Sequence, residues 1–441
     1  MGLRRKHTSV MRDKKASLAL VVLAAILLMA AAPMFTAGRS IAAPTTASAQ
    51  PTVPPLAASA APTAAAATRR TPVIDATPQA RELERLAGEL VQKQRLPGLA
   101  LAVVQNGKIV SLRGYGVVDT STNEPIGTDT VFRLASLSKA FAATVSAQLV
   151  EEGAMNWDSP IINQLPAFKL RDYQGAQKVT VRDILSHRVG LGRNTYDRDL
   201  ERDSPYPLLA ERLSDAPMSC TPGDCYAYQN IAFSLIGDLV FASTGDFYPH
   251  QVEKRIFHPL GMHSATYGRE GLEASPSWAR PHVRKGRNWM AVRPKETYYR
   301  VPPAAGVNAS IADMAQWLIA QTGHRPDVLS PELLNVTHTP QVSTPGETRG
   351  SAWRRERLTD AYYALGWRVY DYSGHTMIFH GGAVQGYRGL IALLPDQDLG
   401  LVVLWNSESA APSGLLPTLM DGVLGLPHRD WLGVEDEEGR D

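Results

Sequence analysis

The chain has 441 residues, and its formal net charge is only +2, from 45 Lys and Arg against 43 Asp and Glu. A chain of this length can bury a large core. Because positive and negative charges nearly balance, no strong field favours nucleic acid or an anionic membrane surface as a partner. We therefore expect a globular protein of enzyme size that binds no nucleic acid.

The first 43 residues have the pattern of an export signal. Cations are concentrated in residues 1–15, and an uncharged run rich in Leu, Val and Ala follows over residues 16–38. Small residues near 41–49 suit cleavage, yet the run is also about as long as the roughly 20 residues that span a bilayer. The pattern thus fits both a cleaved signal peptide and a membrane anchor. In either case the rest of the chain is expected in the periplasm, with membrane contact only through this segment.

Composition divides the remaining chain into three parts. Residues 44–76 are rich in Ala, Thr and Pro and almost uncharged, which predicts a linker without a packed core. Residues 77–430 carry the periodic apolar patterns of a folded domain. Residues 431–441 form an acidic tail, which we expect to be solvated.

Cys220 and Cys225 are the only cysteines in the chain. In an exported protein, an even pair this close together predicts a local disulfide. Two free thiols are the alternative. No His and no second Cys pair lies at a spacing that would complete a metal site with them, so we expect no metal ion.

The predicted elements, in chain order, mix strands with helices. Asn106-Gly107 is a typical hairpin turn, and the helices that begin at Thr180 and Ser310 each have an Asp three residues on, which predicts a capping box. The elements are a helix over 78–95, strands over 99–104 and 108–115, helices over 136–152, from 180, over 230–244 and from 310, strands over 376–380, 388–394 and 399–405, and a helix over 413–424. Strands at both ends and a mainly helical middle predict an α+β fold, in which helices flank an antiparallel sheet and a helical subdomain is inserted over roughly 150–300.

Ser136-Leu-Ser-Lys139 occurs once and opens a predicted helix. Residues at i and i+3 share one face of a helix, so the Lys139 amine can reach the Ser136 hydroxyl. A serine hydroxyl is a poor nucleophile until a base takes its proton, and an amine at a positively polarised helix N-terminus can be pushed towards its neutral form. Ser136 and Lys139 are therefore the candidate nucleophile and base, although an exposed Lys on a helix is the simpler interpretation of this pattern alone.

Two further segments could complete a site for acyl transfer. Tyr228-Gln-Asn230 lies in a loop before a helix, where Tyr228 could relay a proton and the Asn230 amide could hold Lys139 or a substrate carbonyl. His380-Gly381-Gly382-Ala383 ends a predicted strand, and its glycines leave peptide N–H groups exposed. The N–H groups of Ser136 and Ala383 would then form an oxyanion hole. A packed tyrosine with a capping Asn, and an ordinary turn after a strand, are the structural alternatives.

Together, in this order, the three segments resemble the motifs of the penicillin-recognising serine hydrolases: class C β-lactamases, D,D-carboxypeptidases, D-aminopeptidases and related esterases. The resemblance runs from about residue 83 to 426. Further stretches that resemble the family are 132–136, 183–191, 259–262, 303–310 and 365–367. It implies a β-lactamase/transpeptidase-like fold with an acylated Ser136, Lys139 and Tyr228 as the proton-transfer pair, and Asn230 as their polar partner. It also implies that His187 is structural.

Class C β-lactamases have Lys where this chain has His380, which argues against efficient β-lactam hydrolysis. An ordinary His is mostly neutral near pH 7. His380, with Gly382 and Ala383, is nevertheless assigned to substrate and oxyanion binding, and Arg388 is a candidate for the missing cation. The resemblance leaves three possibilities open: a hydrolase of amides, β-lactams or esters, a D,D-carboxypeptidase or D-aminopeptidase that deacylates β-lactams slowly, and a catalytically silent receptor or scaffold.

The expected partners are small-molecule or peptide substrates, among them β-lactams, D-amino-acid peptides and esters. A basic run with interleaved tryptophans, over residues 278–295, could attract the anionic peptides of peptidoglycan, although a solvated loop is the simpler interpretation. The chain lacks a Gly-x-Ser-x-Gly elbow, a His-Glu-x-x-His pair, a phosphate-binding loop and a dinucleotide fingerprint. We therefore expect no cofactor.

Overall fold

A computed structural model describes residues 74–93 and 96–435 of the chain. The predicted export signal, the predicted linker up to residue 73 and the end of the acidic tail lie outside these residues. None of the helices in the described ranges is long and apolar enough to cross a bilayer.

Helices outnumber strands in the region between the nucleophile and residue 340. The described α-helices are α1 (Pro78–Lys93), α2 (Ser138–Glu151), α3 (Tyr173–Ala176), α4 (Val181–Leu185), α5 (Asp197–Glu201), α6 (Tyr206–Glu211), α7 (Ile231–Thr244), α8 (Tyr248–Val252), α9 (His258–Leu260), α10 (Gly268–Glu273), α11 (Pro302–Ala305), α12 (Ile311–Ile319), α13 (Pro331–His338), α14 (Ala352–Arg357) and α15 (Leu415–Leu424).

The strands form one large sheet and two small ones. They are β1 (Gly98–Gln105), β2 (Lys108–Gly116), β3 (Val131–Arg133), β4 (Thr266–Tyr267), β5 (His282–Lys285), β6 (Asn288–Ala291), β7 (Val307–Ser310), β8 (Val342–Ser343), β9 (Leu358–Tyr363), β10 (Arg368–Tyr372), β11 (His375–Val384), β12 (Tyr387–Leu394) and β13 (Leu399–Trp405). The large sheet has the order β2-β1-β13-β12-β11-β10-β9-β8, and every neighbouring pair is antiparallel.

The centre of the large sheet is buried on both faces, because successive side chains of a strand point to opposite sides. In β1, Ala100 and Ala102 join the core beneath α2 and α12, whereas Leu99 and Leu101 join a second core beneath α1 and α15. Strands β1 and β13 therefore read as continuous apolar runs, as expected for strands covered on both faces. The first and last strands of the described domain's sequence lie close together, since β1 pairs with β13 and β2 forms the edge beside β1.

Short strands and helix caps fix the start of the helical region. β3 and β7 pair next to the nucleophile segment, and β4 continues this small sheet. Both predicted capping boxes are present: Thr180 caps α4 with Asp183, and Ser310 caps α12 with Asp313. In addition, the ring of Phe141 in α2 stacks on Trp317 in α12 at 4.2 Å between centroids. These contacts hold α2 against the sheet.

The predicted α+β, β-lactamase/transpeptidase-like fold is confirmed, but some elements differ. Strands β9 and β10 occupy a region that the sequence predicted to be helical, and the helical region also contains the β5–β6 hairpin. The predicted strand over 376–380 is longer, since β11 runs from His375 to Val384. The segment His380–Ala383 therefore lies inside a strand and not in a turn that follows it.

Two glycines with a left-handed backbone allow the cost of close packing to be distinguished from the cost of backbone strain. At Gly366 (φ 73°) an added Cβ would lie 2.6 Å from the Lys139 carbonyl oxygen, whereas at Gly374 (φ 88°) it would meet no atom within 4 Å. We expect Gly374→Ala to lower the free energy of unfolding by about 1–2 kcal/mol, the cost of the left-handed conformation. Gly366→Ala should cost about 3 kcal/mol or more, because overpacking adds about 1–3 kcal/mol. Chemical denaturation measures both, and equal losses would contradict the close approach to α2.

Candidate active site

Ser136 lies in a short 3₁₀ turn, Ala135–Leu137, between β3 and the start of α2. Ala135 just before it has φ 50°, a left-handed conformation that is uncommon for a residue with a Cβ. The turn is held by Ser138, whose hydroxyl donates to the Ala135 carbonyl (2.6 Å) and accepts the Val307 N–H (3.0 Å). Backbone strain of this kind persists only where the surroundings enforce it, and it often marks functional sites.

Lys139 is completely buried in the first turn of α2. Its ammonium nitrogen Nζ lies 2.8 Å from Asn230 Oδ1, 3.0 Å from the Ala304 carbonyl oxygen and 3.4 Å from Ser136 Oγ. It also lies 4.6 Å from the centre of the Tyr228 ring. Ser136, Lys139, Tyr228 and Asn230, which come from two distant parts of the sequence, thus meet around one amine.

The charge of Lys139 is set by burial and by two flanking groups. Burial holds the pKa of its ammonium well below the usual value, because the charged form loses its hydration. Negative Asp197 raises the same pKa, and positive Arg368 lowers it further. Arg368 is itself paired with Glu347, at 2.7 Å. The neutral amine that a general base requires is therefore favoured by the position of Lys139.

The pKa of Tyr228 is shifted in the opposite direction. Burial raises the pKa of its phenol, while an interaction with the Ser136 side chain and positive Arg368 oppose the rise. Tyr228 is thus best stabilised in its protonated form. Groups whose surroundings push their pKa values apart in this way are suited to different roles, the amine as proton acceptor and the phenol as proton donor.

Asn230 immediately precedes α7, and its side chain links Lys139 to a buried acid. While Oδ1 accepts from the lysine, Nδ2 donates to Asp197 Oδ2 at 2.7 Å. The Cys220–Cys225 disulfide, which the sequence predicted, closes the loop upstream of this segment. That loop is anchored by backbone bonds to its neighbours, among them Gly223 N–H to the Arg188 carbonyl at 2.7 Å. The loop therefore supports the segment that carries Tyr228 and Asn230.

β11 brings the third segment against the nucleophile turn. A Cβ added at Gly382 would lie 2.4 Å from the Leu134 carbonyl oxygen, so only glycine fits without rearrangement. Ala383 is exposed beside it. Beyond Phe379, β11 pairs only with β12, because the pairing with β10 ends there. The edge of β11 next to Ser136 is therefore open to a substrate.

The prediction that His380 contacts the substrate has to be corrected. Its side chain is 1% exposed and does not line the cavity around Ser136. Nδ1 lies 2.9 Å from the Gly381 carbonyl oxygen and Nε2 lies 3.1 Å from the Tyr363 hydroxyl. Because a carbonyl can only accept, Nδ1 carries the hydrogen and Nε2 accepts from Tyr363. The ring is a buried support of β11 and not a cation presented to a ligand.

The same hydrogen-bond chain continues to His187. The Gln229 N–H donates to His187 Nδ1 (3.2 Å), so His187 Nε2 donates to the Tyr363 hydroxyl (3.1 Å), which in turn donates to His380. The His187 carbonyl also accepts the Ala227 N–H, at 2.9 Å. His187 thus holds the backbone on both sides of Tyr228. This agrees with the structural role implied by the resemblance and joins the second segment to the third.

A cavity of about 510 Å³ opens onto Ser136, a volume typical of a small-molecule site. Arginines and one acid contribute charge to its wall. Its lining includes Ser136, Tyr228, Asn230, Gly382 and Ala383, with Arg193, Arg354, Arg368, Arg388 and Asp197. Arg388 lies directly opposite Ala383 across the β11–β12 pair, so it flanks the predicted oxyanion residue. None of the cations of the predicted basic run lines this cavity.

Sequence reasoning missed four side chains that define the site: Asp197, Tyr363, Arg368 and Glu347. Each lies far from the three motifs in the sequence, and none belongs to a motif with a chemical signature. Asp197 is preceded by polar loop residues, and Tyr363 and Arg368 lie on strands that the sequence did not predict. Only the alternation of Tyr370 and Tyr372 in β10 could have indicated a strand in this region.

The large antiparallel sheet with its helical layers and the buried Lys139 beside Ser136 define a protein of the β-lactamase/transpeptidase-like fold. The model of the beta-lactamase family matches residues 83–420. The chain therefore belongs to the beta-lactamase family, a family of serine hydrolases.

Similar proteins include a fungal hydrolase and two proteins of known structure. The unguisins hydrolase ungD' of Aspergillus campestris is 27% identical over 364 residues, which are 79% of this chain and 66% of that protein, slightly less than two thirds of its length. The octameric penicillin-binding protein homologue of Pyrococcus abyssi has a TM-score of 0.71 at 23% identity, covering 80% of this chain and 79% of that one. A class C beta-lactamase from Rhodobacter sphaeroides has a TM-score of 0.62 at 21% identity, covering 78% and 99%. The two structures support the fold alone.

The neutral histidines predict a pH dependence of stability. Burial holds the pKa of His187 and of His380 well below 6.5, so the folded protein leaves both uncharged where unfolded histidines take up protons. Their contribution is complete above about pH 6.5 and is lost as the pH falls towards the folded pKa values. The free energy of unfolding should decrease by up to about 1.4 kcal/mol per pH unit for each histidine.

The variant His187→Asn removes the contribution of one histidine. His187 has a left-handed backbone at φ 60°, which Asn tolerates, and the Asn amide oxygen can accept the Gln229 N–H. Denaturant titrations at pH 7, 6 and 5 should give a shallower pH slope than the wild type, whereas exposed His263→Asn should leave the slope unchanged. Parallel curves for His187→Asn and the wild type would show that His187 is not held neutral in the fold.

Proposed function

We propose that the protein is an exported serine hydrolase that forms a covalent acyl-enzyme on Ser136 with an amide, β-lactam or ester substrate. The observation that carries this proposal is the fully buried Lys139 amine, 3.4 Å from Ser136 Oγ and fixed by Asn230 and the Ala304 carbonyl. A silent receptor or scaffold would gain no stability from a buried amine next to a serine, because burying an ammonium is costly. Family membership supports the same reaction class.

In the first step, Ser136 Oγ attacks the substrate carbonyl carbon while its proton passes to neutral Lys139. The carbonyl oxygen becomes an oxyanion, which the N–H groups of Ser136 and Ala383 would stabilise. Each such donor is worth roughly 2.7–4 kcal/mol in the transition state. Tyr228 donates a proton to the leaving nitrogen or oxygen as the C–N or C–O bond breaks, and it is reprotonated from Lys139. The product of this step is an ester of Ser136 and a free amine or alcohol; with a β-lactam the ring opens and its nitrogen stays attached to the acyl group.

In the second step, water attacks the Ser136 ester and gives one proton to the Lys139–Tyr228 pair, which returns a proton to Ser136 Oγ as the C–O bond breaks and the acid is released. The same groups act in reverse order. The rate of this step decides between the two enzyme candidates. A hydrolase that turns over β-lactams needs water to attack the acyl-enzyme rapidly. A D,D-carboxypeptidase or D-aminopeptidase would instead retain a β-lactam adduct for a long time.

The peptidase alternative is favoured by two features of the site. The open edge of β11 suits an extended peptide, which can add as a strand. Furthermore, His380 is buried and neutral, so this position supplies no cation for a β-lactam carboxylate. Arg354 and Arg388 in the cavity wall are cations that could take over this contact, on a peptide or on a fragment of peptidoglycan. The disulfide supports an oxidising compartment such as the periplasm.

Ser136→Ala should lower ester hydrolysis by at least about 10³-fold and abolish the acyl adduct, since the nucleophile is removed. Mass spectrometry after incubation with a penicillin, a D-alanyl peptide and a short-chain ester detects the adduct and times its loss. The matched control is Ser351→Ala, because Ser351 lines the same cavity without an adjacent lysine. Full hydrolysis by Ser136→Ala would refute acyl transfer through Ser136. A persistent penicilloyl adduct would favour the peptidase.

Arg368→Gln should shift the acid limb of the kcat/KM profile to higher pH, by up to about one pH unit. The reason is that positive Arg368 lowers the pKa of Lys139, so its removal leaves the lysine protonated, and inactive as a base, over a wider range. The measurement is kcat/KM for a neutral ester between pH 5 and 10. Arg388→Gln, which removes a different cavity cation, should leave the limb in place. An unshifted limb in Arg368→Gln would argue that Lys139 is not the base.

A further inference from the structure

Asp197 is a buried acid whose hydrogen bonds are incomplete. Asp197 is only 7% exposed and lies at the start of α5. Oδ2 accepts from Asn230 Nδ2 at 2.7 Å, and the Tyr298 hydroxyl, which donates to Glu201, lies 3.5 Å from it. Oδ1 is fully buried and has no hydrogen-bond partner among the described residues. A buried carboxylate oxygen without a donor is costly, and such atoms are uncommon in folded proteins.

The side chain of Asp197 borders space that a substrate can occupy. It lines the cavity around Ser136 and also an adjoining cavity of about 580 Å³. Two more acids, Asp199 and Glu201, contribute to the adjoining wall, and Tyr298 donates to Glu201 at 2.9 Å. Asp197 is linked to Lys139 through the single amide side chain of Asn230.

The cations near Asp197 do not neutralise it before the reaction starts. Lys139 must be uncharged to accept the Ser136 proton, and Arg368 is paired with Glu347. The two arginines of the adjoining cavity, Arg193 and Arg198, are exposed, where water and salt screen their charge. A positively charged ligand group would therefore supply the missing donor and the missing countercharge together.

We propose that Asp197 binds the protonated amine of an acyl donor, so that the preferred substrates are esters or amides of amino acids or peptides with a free amino group. This inference rests on the proposed acyl transfer at Ser136 and specifies its substrate class. The ammonium would donate to the Asp197 carboxylate once a small side-chain rotation opens Oδ1 to the cavity, while Asn230 keeps its bond to Oδ2 and Lys139 keeps its bond to Asn230. One row of hydrogen bonds, from the substrate ammonium through Asp197 and Asn230 to Lys139, would thereby bind the substrate and also position the base.

The test compares acyl donors that differ only in the amine: the 4-nitrophenyl esters of glycine and β-alanine against those of acetic and propanoic acid. All rates are corrected for the spontaneous hydrolysis of each ester at the same pH. The wild type should favour the amino esters in kcat/KM by at least about tenfold, the effect of one hydrogen bond to a charged group. Two spacings are included because the distance from the carbonyl to the amine decides whether it reaches Oδ1.

Asp197→Asn should bring this preference to near one, because the amide removes the charge while its oxygen can still accept from Asn230. The comparison of paired substrates at one pH cancels any change in the ionisation of Lys139. The matched control is Asp215→Asn, an exposed acid that lines neither cavity and should leave the preference intact. Absence of a preference in the wild type, or its survival in Asp197→Asn, would overturn the inference.

A binding measurement makes the result independent of turnover. Calorimetry with Ser136→Ala should show β-alanine anilide binding at least about tenfold more tightly than propanoic anilide. The double variant Ser136→Ala with Asp197→Asn should bind both alike. If Ser136-dependent hydrolysis of the neutral esters occurs without an amine preference, only the subsite fails. If no ester is hydrolysed through Ser136, the proposed function fails, and the calorimetry still decides whether Asp197 binds the amine.

Discussion

The burial of the Lys139 amine is the constraint on which the site depends. A lysine taken out of water is stable only when its donors are satisfied, and here Asn230 and the Ala304 carbonyl receive them. These partners come from the loop before α7 and from α11, while Lys139 itself is on α2. The requirement to satisfy one amine therefore fixes three parts of the helical region relative to each other, with Ser136 at their common edge.

The sheet side of the site depends on close backbone approach. Gly382 allows β11 to lie against the Leu134 carbonyl, and Gly366 allows the turn before β10 to lie against the Lys139 carbonyl. A side chain at either position would separate the sheet from α2. The distance between the nucleophile turn and the open edge of β11 is thus set by two residues without a Cβ, and this distance decides whether a carbonyl can contact Ser136 and Ala383 at once.

The polar groups behind the site form a directed network. This network begins with a backbone N–H that donates to His187 and ends with a backbone carbonyl that accepts from His380. The direction of each hydrogen bond through Tyr363 is therefore determined. Both imidazoles are neutral within it. In a protein with a lysine at the position of His380, a fixed charge would be present there. Here the charges of the cavity come from arginines on other elements and from Asp197, so these residues, and not the residue at position 380, are the charged groups that can select a substrate.

Local sequence determined much of the framework. The Asn-Gly turn, the two capping boxes and the helix that ends at Gly245 are produced by interactions between near neighbours, and the sequence predicted them. The strands β1, β12 and β13 were predicted because each contains a continuous apolar run. Ser136, Lys139, Tyr228 and Asn230 were recognisable because their spacing and order carry a chemical pattern.

Only the tertiary structure decided what surrounds those residues. Strands β9 and β10 pair with their neighbours through short turns, but their mixed polar and aromatic sequences lack the apolar runs that marked the other strands, so their local pattern was weak. The burial of His380, the link from His187 through Tyr363, and the placement of Asp197 and Arg368 near Lys139 depend on which distant elements pack together. Burial and neighbouring charge set the pKa of a group, and neither can be read from residues that are adjacent only in sequence.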